Sequence, residues 1–387
     1  MIEGSAAVTE TQKLQYGMVG GGQGSFIGDV HRKALALDGL AEITAGCFSH
    51  SPENTLATGK ALGLSPERLY KTFDEMAEKE AGRIDFVVIT TPNVSHYPAA
   101  KAFLNQGIPV VCDKPLTIEL PEAQELAALA KKKNLLFCVT YTYTGNPTVK
   151  HARALVQQGE IGDLLFVNAE YPQEWLLAPA EKQGSKQAQW RTDPKIAGKS
   201  NSVGDLGSHI ENMISYVTGL RIKSLLARLD IIGPDRVLDD NATILLEYEG
   251  GAKGLYWTSQ IASGYDNAFR FRIFGTKGAI QWNEETSNYL ELSRFGHPNT
   301  VLSRGRDPFH PHAQSYSRIP SGHPEGYFEA LANIYKTYIG ALTKQKAGRS
   351  LTEEDLDFPN ADLGVEGVKF IGACVESSQK GAVWINY

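Results

Sequence analysis

One residue early in the chain and two farther along it carry side chains that together could move a hydroxyl proton. Lys114 stands in VVCDKPLT, after an apolar run and before a proline, and Asp205 and His209 stand four apart in NSVGDLGSHIENMISYVTGL. An imidazole that titrates near neutrality can take or return a hydroxyl proton. An ammonium beside the same oxygen stabilises developing alkoxide charge and tunes the imidazole. Taken singly these residues are equally a strand-end lysine, an N-cap aspartate and a structural histidine. Their combination points to proton-transfer chemistry.

Such a set has to be delivered by fixed elements. From residue 14 to about 143, short apolar runs (LQYGMVG, AEITAGCF, IDFVVIT, PVVCD, LLFCVTY) alternate with helical patterns near 28–38, 52–63, 72–80, 96–107 and 119–133. Apolar strands joined by helices describe a parallel sheet covered on both faces, so residues 1–143 are read as a doubly wound α/β Rossmann domain that binds a dinucleotide. Lys114 then lies at the C-terminal end of a strand, beside the crevice where such sheets bind ligands. Pro115 holds the turn there through its fixed φ or a cis bond.

After residue 144 the rhythm changes. A helix over 148–158 leads to LLFVNAEY, and KSLLARLDII, ATILLEYE, AKGLYWTSQIA, FRFRIFGT and AIQW follow, with the turn signals EYEGGAKG and GTKGAI among them. This reads as an antiparallel meander, and residues 144–387 as an α+β domain with an open, mainly antiparallel sheet. With no helices left to cover its second face, a subunit partner is the expected cover, giving a homo-oligomer. The polar stretch 178–202 reads as a long loop, and a helix over about 208–218, closed by Gly219, places His209 in its first turn with Asp205 just before it. GHPEGYFEALANIY opens another long helix.

The first strand runs into GGGQGSFIGDVHRKAL. Gly20 and Gly22 stand as the first two glycines of a dinucleotide fingerprint, with Gly24, Ser25 and Phe26 continuing the loop toward a helix N-terminus that suits a pyrophosphate. The third glycine falls at Gly28, so the loop is about three residues longer than the common spacing. At the end of the second strand, Ser49 and His50 stand where an acid would bond a free ribose hydroxyl. No arginine is there for a 2'-phosphate, which leans the cofactor to NAD over NADP.

The totals agree with a small-molecule enzyme. In 387 residues, 42% hydrophobic and 21% charged, there is chain enough for two cores, and a net charge of −6 argues against sequence-independent binding of nucleic acid. Four dispersed cysteines, with no C-x-x-C pair, predict reduced, buried thiols in a cytoplasmic protein. The segment MIEGSAAVTETQKLQ has no basic start and apolar core, and no run approaches the length of a membrane span. His310 and His312 form an H-x-H in DPFHPHAQ, but with flanking prolines and no second ligand cluster the segment reads as a loop rather than a metal site. His323 either reaches the site or merely begins the helix that follows it.

In order along the chain, the glycine loop, TPNVSHYPAA (91–100), CDKP (112–115), WRTDP (190–194) and GDLGSH (204–209) resemble the Gfo/Idh/MocA family of oxidoreductases, over residues 14 to about 380. The resemblance implies a Rossmann domain, an open-sheet domain, NAD(P)-linked oxidation of cyclic polyols or sugars, and homo-oligomers, dimers or tetramers, built through the sheet. It also implies roles. Lys114 contacts substrate and nicotinamide ribose, Asp205 orients it, and His209 is the acid/base. Thr91, Pro92, Asn93 and His96, with Asp113, line the cofactor, and Trp190, Arg191 and Asp193 form the substrate rim. The longer glycine loop, Asn212 where an acid is frequent, and AGKSNSVGD in place of a glycine cluster depart from the pattern.

A polyhydroxylated ring needs several hydrogen-bonding side chains and aromatic walls, which Tyr171, Trp175, Trp190, Arg191, Asp193 and Asn241 could supply. Inositol oxidation is the leading expectation, with C3 oxidation of a glucoside beside it. Two alternatives are an NAD-dependent glycosidase using transient ring oxidation and a dinucleotide-binding regulator without catalysis.

Overall fold

The computed structural model describes residues 13–306 and 308–387; residues 1–12, part of the segment read above for targeting, and Asp307 lie outside them. The first half is built from β1 (Leu14–Gly20), α1 (Phe26–Leu37), β2 (Ala41–Cys47), α2 (Pro52–Ala61), α3 (Phe73–Glu80), β3 (Phe86–Thr90), α4 (His96–Asn105), β4 (Val110–Cys112), α5 (Leu120–Lys132) and β5 (Phe137–Val139). The strands pair in parallel in the order β2-β1-β3-β4-β5, the doubly wound arrangement expected. Every residue of β3, FVVIT, is buried, as a strand covered on both faces must be. Short polar residues start the helices where the sequence changes period. Ser25, Ser51 and Thr72 each accept a first-turn N–H with the side-chain oxygen, and Pro52 follows Ser51 at the first helical position.

The second half comprises α6 (Pro147–Gln157), β6 (Leu164–Pro172), two short helices, α7 (Lys186–Arg191) and α8 (Pro194–Ala197), then a π-helical turn, Val203–Gly207, running into α9 (Ser208–Thr218). Strands β7 (Ile222–Asp230), β8 (Asn241–Tyr248), β9 (Lys253–Ser259), β10 (Arg270–Gly275), β11 (Gly278–Asn283), β12 (Tyr289–Arg294) and β13 (Thr300–Ser303) follow. Then come α10 (Pro311–Gln314), α11 (Tyr327–Lys346), α12 (Ala361–Gln379) and β14 (Ile385–Asn386).

These strands form one nine-stranded sheet, β13-β12-β11-β10-β6-β9-β8-β7-β14. It is not a simple meander. β6 inserts between β10 and β9 and pairs in parallel with β9, so the chain crosses β6 between β9 and β10. The 178–202 stretch is not a bare loop either, because Ser185 caps α7 and Asp193 caps α8. Both helices are too short to show an apolar period in the sequence.

Alternation sets the sheet's two faces. Phe271, Ile273, Ile280, Trp282, Leu290 and Leu292 point inward onto the core formed with α6 and α9. Phe166, Leu245, Phe274, Tyr289 and Val301 lie exposed on strands of the same sheet. The late helices cross back to the first half. Leu331, Ile334, Tyr335, Tyr338 and Leu342 of α11 share a core with Tyr16, Met18 and Phe86 of β1 and β3. At about 1.5–3 kcal/mol for each buried apolar side chain, this seam is a substantial clamp between the halves. Among the described residues no helix is long and apolar enough to cross a membrane.

Candidate active site

The C-terminal ends of the parallel strands, the π-turn and one end of the large sheet enclose a cleft of about 1090 Å³. Strand β4 ends at Cys112, and the next three residues turn across the strand ends with the Lys114–Pro115 bond cis. Asp113 secures this turn by accepting from the Lys114 N–H at 2.9 Å and the Thr140 hydroxyl at 2.9 Å. The Lys114 ammonium donates to the Asp205 carboxylate at 2.8 Å and to the Asp205 carbonyl at 2.7 Å.

Asp205 arrives on the π-turn, a local widening found disproportionately at functional sites. Asp239 pins its lead-in by accepting from Ser200 Oγ and from the N–H groups of Asn201 and Val203. The second carboxylate oxygen of Asp205 accepts from Gln260 at 3.1 Å and lies 3.4 Å from Arg191 Nε. Burial alone would raise this carboxyl, but the Lys114 and Arg191 charges outweigh burial and hold it well below the usual carboxylate range.

One turn on, His209 is buried among tyrosines, with Tyr143 at 4.9 Å and Tyr141 at 5.7 Å between ring centroids. Burial first, and the Lys114 charge second, push the imidazole well below its ordinary range against the pull of Asp205. It therefore stands neutral at neutral pH, the form that accepts a proton.

At the other end, the glycine loop has the shape of a phosphate cradle. Gly20, Gly21 and Gly24 take positive φ (83°, 73° and 87°). A Cβ on Gly28 would lie 2.2 Å from the Gly21 Cα, so Gly28 does serve as the third glycine that lets α1 approach the strand turn, despite the lengthened spacing. The additional residues fold onto the next unit. Gly22 N–H donates to the Phe48 carbonyl at 3.1 Å, and Gln23 N–H donates to Asn54 and Thr58, each at 3.0 Å. Ser25 caps α1 and Phe26 stands exposed at the helix start, both lining the cleft. Ser49 and His50 line it too, joined by Lys71.

Thr91, Pro92 and Asn93 also line the cleft, Asn93 donating to the Ala197 carbonyl at 2.9 Å. His96 does not. It is buried behind the wall, each ring nitrogen 2.9 Å from a carbonyl, that of Pro115 or that of Thr91, so it ties two loops together instead of facing a cofactor. On the rim, Trp190 and Arg191 line the cleft with the guanidinium 4.2 Å from the indole ring, and Trp175 is nearby. Tyr171 lines it as well, its hydroxyl 2.5 Å from that of Tyr143 and donating to Asn267 at 2.7 Å.

Asp193 and Asn241 do not reach the cleft. The first caps α8, and the second accepts from Trp257 within the sheet. His312 instead meets Asp357 at 2.8 Å, in a cluster with Lys150 and Arg153, and the His310 N–H donates to His151. His323 is exposed in the turn before α11. Among the described residues, no three His, Cys, Asp or Glu side chains gather as a metal site.

Sequence reasoning missed Tyr143, Gln173, Asn267, Glu284 and Tyr327, which line the same cleft as the lysine. Tyr143 had a usable signal, since YTYTG follows the fifth parallel strand and so had to lie at the crevice. The others come from sheet ends and a helix start whose mutual placement depends on the strand crossover.

The comparisons with known proteins bear on this geometry. Residues 14–141 match the model of an oxidoreductase family with an NAD-binding Rossmann fold, and residues 149–281 match the GFO/IDH/MocA C-terminal domain. An uncharacterized oxidoreductase of Bacillus subtilis (strain 168), YfiI, is 36% identical over all of both chains. An inositol dehydrogenase homolog from Azotobacter vinelandii, solved with NAD+, superposes with a TM-score of 0.93 at 36% identity over all of both chains. Its complex with NADH and myo-inositol superposes at 0.89, with 35% identity over 97% of this chain and 98% of that one. Levoglucosan dehydrogenase of Pseudarthrobacter phenanthrenivorans is 26% identical over 73% of this chain and 76% of its own.

Proposed function

The chain is a member of the Gfo/Idh/MocA family, an NAD-binding oxidoreductase related to inositol and sugar dehydrogenases, and on that premise we propose that it oxidises one secondary hydroxyl of a cyclic polyol or pyranose to a ketone. The observation that carries this reading is the Lys114–Asp205 contact of 2.8 Å with a neutral His209 beside it, in the same cleft as the glycine cradle.

The cradle fits a dinucleotide. A Cβ at Gly22 would come within 2.9 Å of the Phe48 carbonyl oxygen, and the start of α1 supplies first-turn N–H groups that have no intrahelical acceptor. Gly20, Gly22, Gly24, Ser25 and Phe26 would hold the pyrophosphate end, Ser49 and His50 the adenosine ribose, and Thr91, Pro92, Asn93 and Asp113 the approach to Lys114. NAD, when bound, supplies the hydride acceptor. NADP stays in the test because Lys71 lines the cleft with Ser49 and His50.

The chain's own residues do the rest. Lys114 has three N–H donors, two of them engaged by Asp205, which leaves the third for the reacting oxygen. Asp205, held ionised, fixes the ammonium in place. His209 takes the hydroxyl proton in oxidation and returns it in reduction. The tyrosine wall and Trp190 exclude water and pack against the ring.

Inositols are the leading substrates, since the Azotobacter vinelandii homolog was solved with myo-inositol, and glucosides stand beside them. The test is a panel of inositols, free sugars and glucosides with NAD or NADP, read by reduced nicotinamide absorbance. Turnover lost in Lys114→Ala supports the reading; cofactor binding without turnover on any ring overturns it.

The outer face of the large sheet, with Phe166, Leu245 and Tyr289 exposed, is the surface through which copies pair. Sedimentation should give a dimer or tetramer that Leu245→Glu dissociates; a monomeric wild type would contradict this.

A further inference from the structure

Glu284 is a half-buried acid that the mechanism above does not use. Trp282 and Ile280 point from β11 into the core, and Glu284 opens the short 3-10 turn Glu284–Thr286 that follows the strand and lines the cleft. Its backbone is anchored by an N–H donated to the Phe269 carbonyl at 2.8 Å. The side chain is half-buried, and its Oε2 is wholly buried with no hydrogen-bond partner among the described residues. Among the described residues Glu284 makes no ion pair, and Tyr143, Tyr171, Tyr327, Asn267 and Asp266 line the cleft with it. A buried polar oxygen without a partner is costly, and here the open side is the cleft.

We infer that Glu284 is a substrate-binding residue whose carboxyl donates a hydrogen bond to an uncharged ring hydroxyl remote from the oxidised carbon. This rests on the dehydrogenase reading and deepens it. Burial, reinforced by Glu285, pushes the carboxyl up to about 8. Tyr143, Tyr171 and Tyr327, whose hydroxyls burial raises, and His209, whose imidazole burial lowers, do not change charge across that range, and Asp266 and Glu285 are the neighbouring acids. Ionisation of Glu284 would remove the donor and place an unpaired charge against the ring.

The experiment measures binding of myo-inositol and of a methyl glucoside to the NADH-loaded protein by calorimetry between pH 6.5 and 9.5, beside KM in turnover. For the wild type, Kd should rise roughly tenfold from pH 7 to pH 9, following loss of the carboxyl proton. Glu284→Gln, which keeps a neutral donor, should bind with little dependence on pH, and Glu284→Ala should weaken binding about tenfold, the worth of one good hydrogen bond. Melting curves confirm that both variants fold, and the Gln variant carries the test if the Ala variant does not. Ring binding that ignores both pH and Glu284→Ala would overturn the assignment and leave the dehydrogenase reading standing. A wild type that binds neither ring overturns both.

Discussion

At the scale of single residues, the account turns on which protonation state each group holds before substrate arrives. His209 is pressed below its ordinary range by burial and by Lys114. Polyol oxidation needs the neutral imidazole, which is lost as pH falls through its own pKa. The acid limb of kcat/KM should therefore lie below pH 6.5, with a basic limb near pH 8 from Glu284. Replacing His209 by Asn should abolish the acid limb and slow oxidation by roughly 100-fold to 10,000-fold, the usual span for general-base loss. An acid limb centred above 6.5, or an Asn variant with wild-type rates, would remove His209 from its role. These residues were legible because lysine, aspartate and histidine announce their chemistry by type. Glu284 was not, since an acid in WNEETSN reads as a turn until the fold buries one of its oxygens.

At the scale of elements, what matters is how closely a helix can approach a strand turn. At Gly28 a single added carbon has a defined victim, the Gly21 backbone at 2.2 Å. Gly28→Ala should push α1 off the loop, cost about 1–3 kcal/mol of stability as overpacking does, and weaken NAD binding at least tenfold. Unchanged melting together with unchanged NAD affinity would show that the loop is slack. By count alone this glycine looked misplaced. Its role became visible only when Gly22 and Gln23 were seen tied to Phe48, Asn54 and Thr58, which absorbs the added length. The opposite failure occurred at His96. It falls within TPNVSHYPAA as the resemblance places it, yet its ring faces the Pro115 and Thr91 carbonyls.

At the scale of the whole molecule, the five-stranded half was readable because each strand is a short apolar run and the first three helices open on a capping Ser or Thr, so local signals agree with one topology. The large sheet was readable in kind but not in order. Nothing local says that β6 slides between β9 and β10, and that crossover is what brings Tyr171, Asn267 and Glu284 to one wall. The cleft is therefore a product of both halves, held in register by α11 against β1 and β3. The most direct test of the central claim is a single turnover of the preformed NAD complex with a ring deuterated at the carbinol carbon, comparing wild type with Lys114→Ala and His209→Ala. The account predicts a primary isotope effect on nicotinamide reduction, and in both variants a hydride step slowed by at least about 100-fold with NAD affinity preserved in His209→Ala. Equal rates in all three proteins, or reduction without an isotope effect, would contradict it.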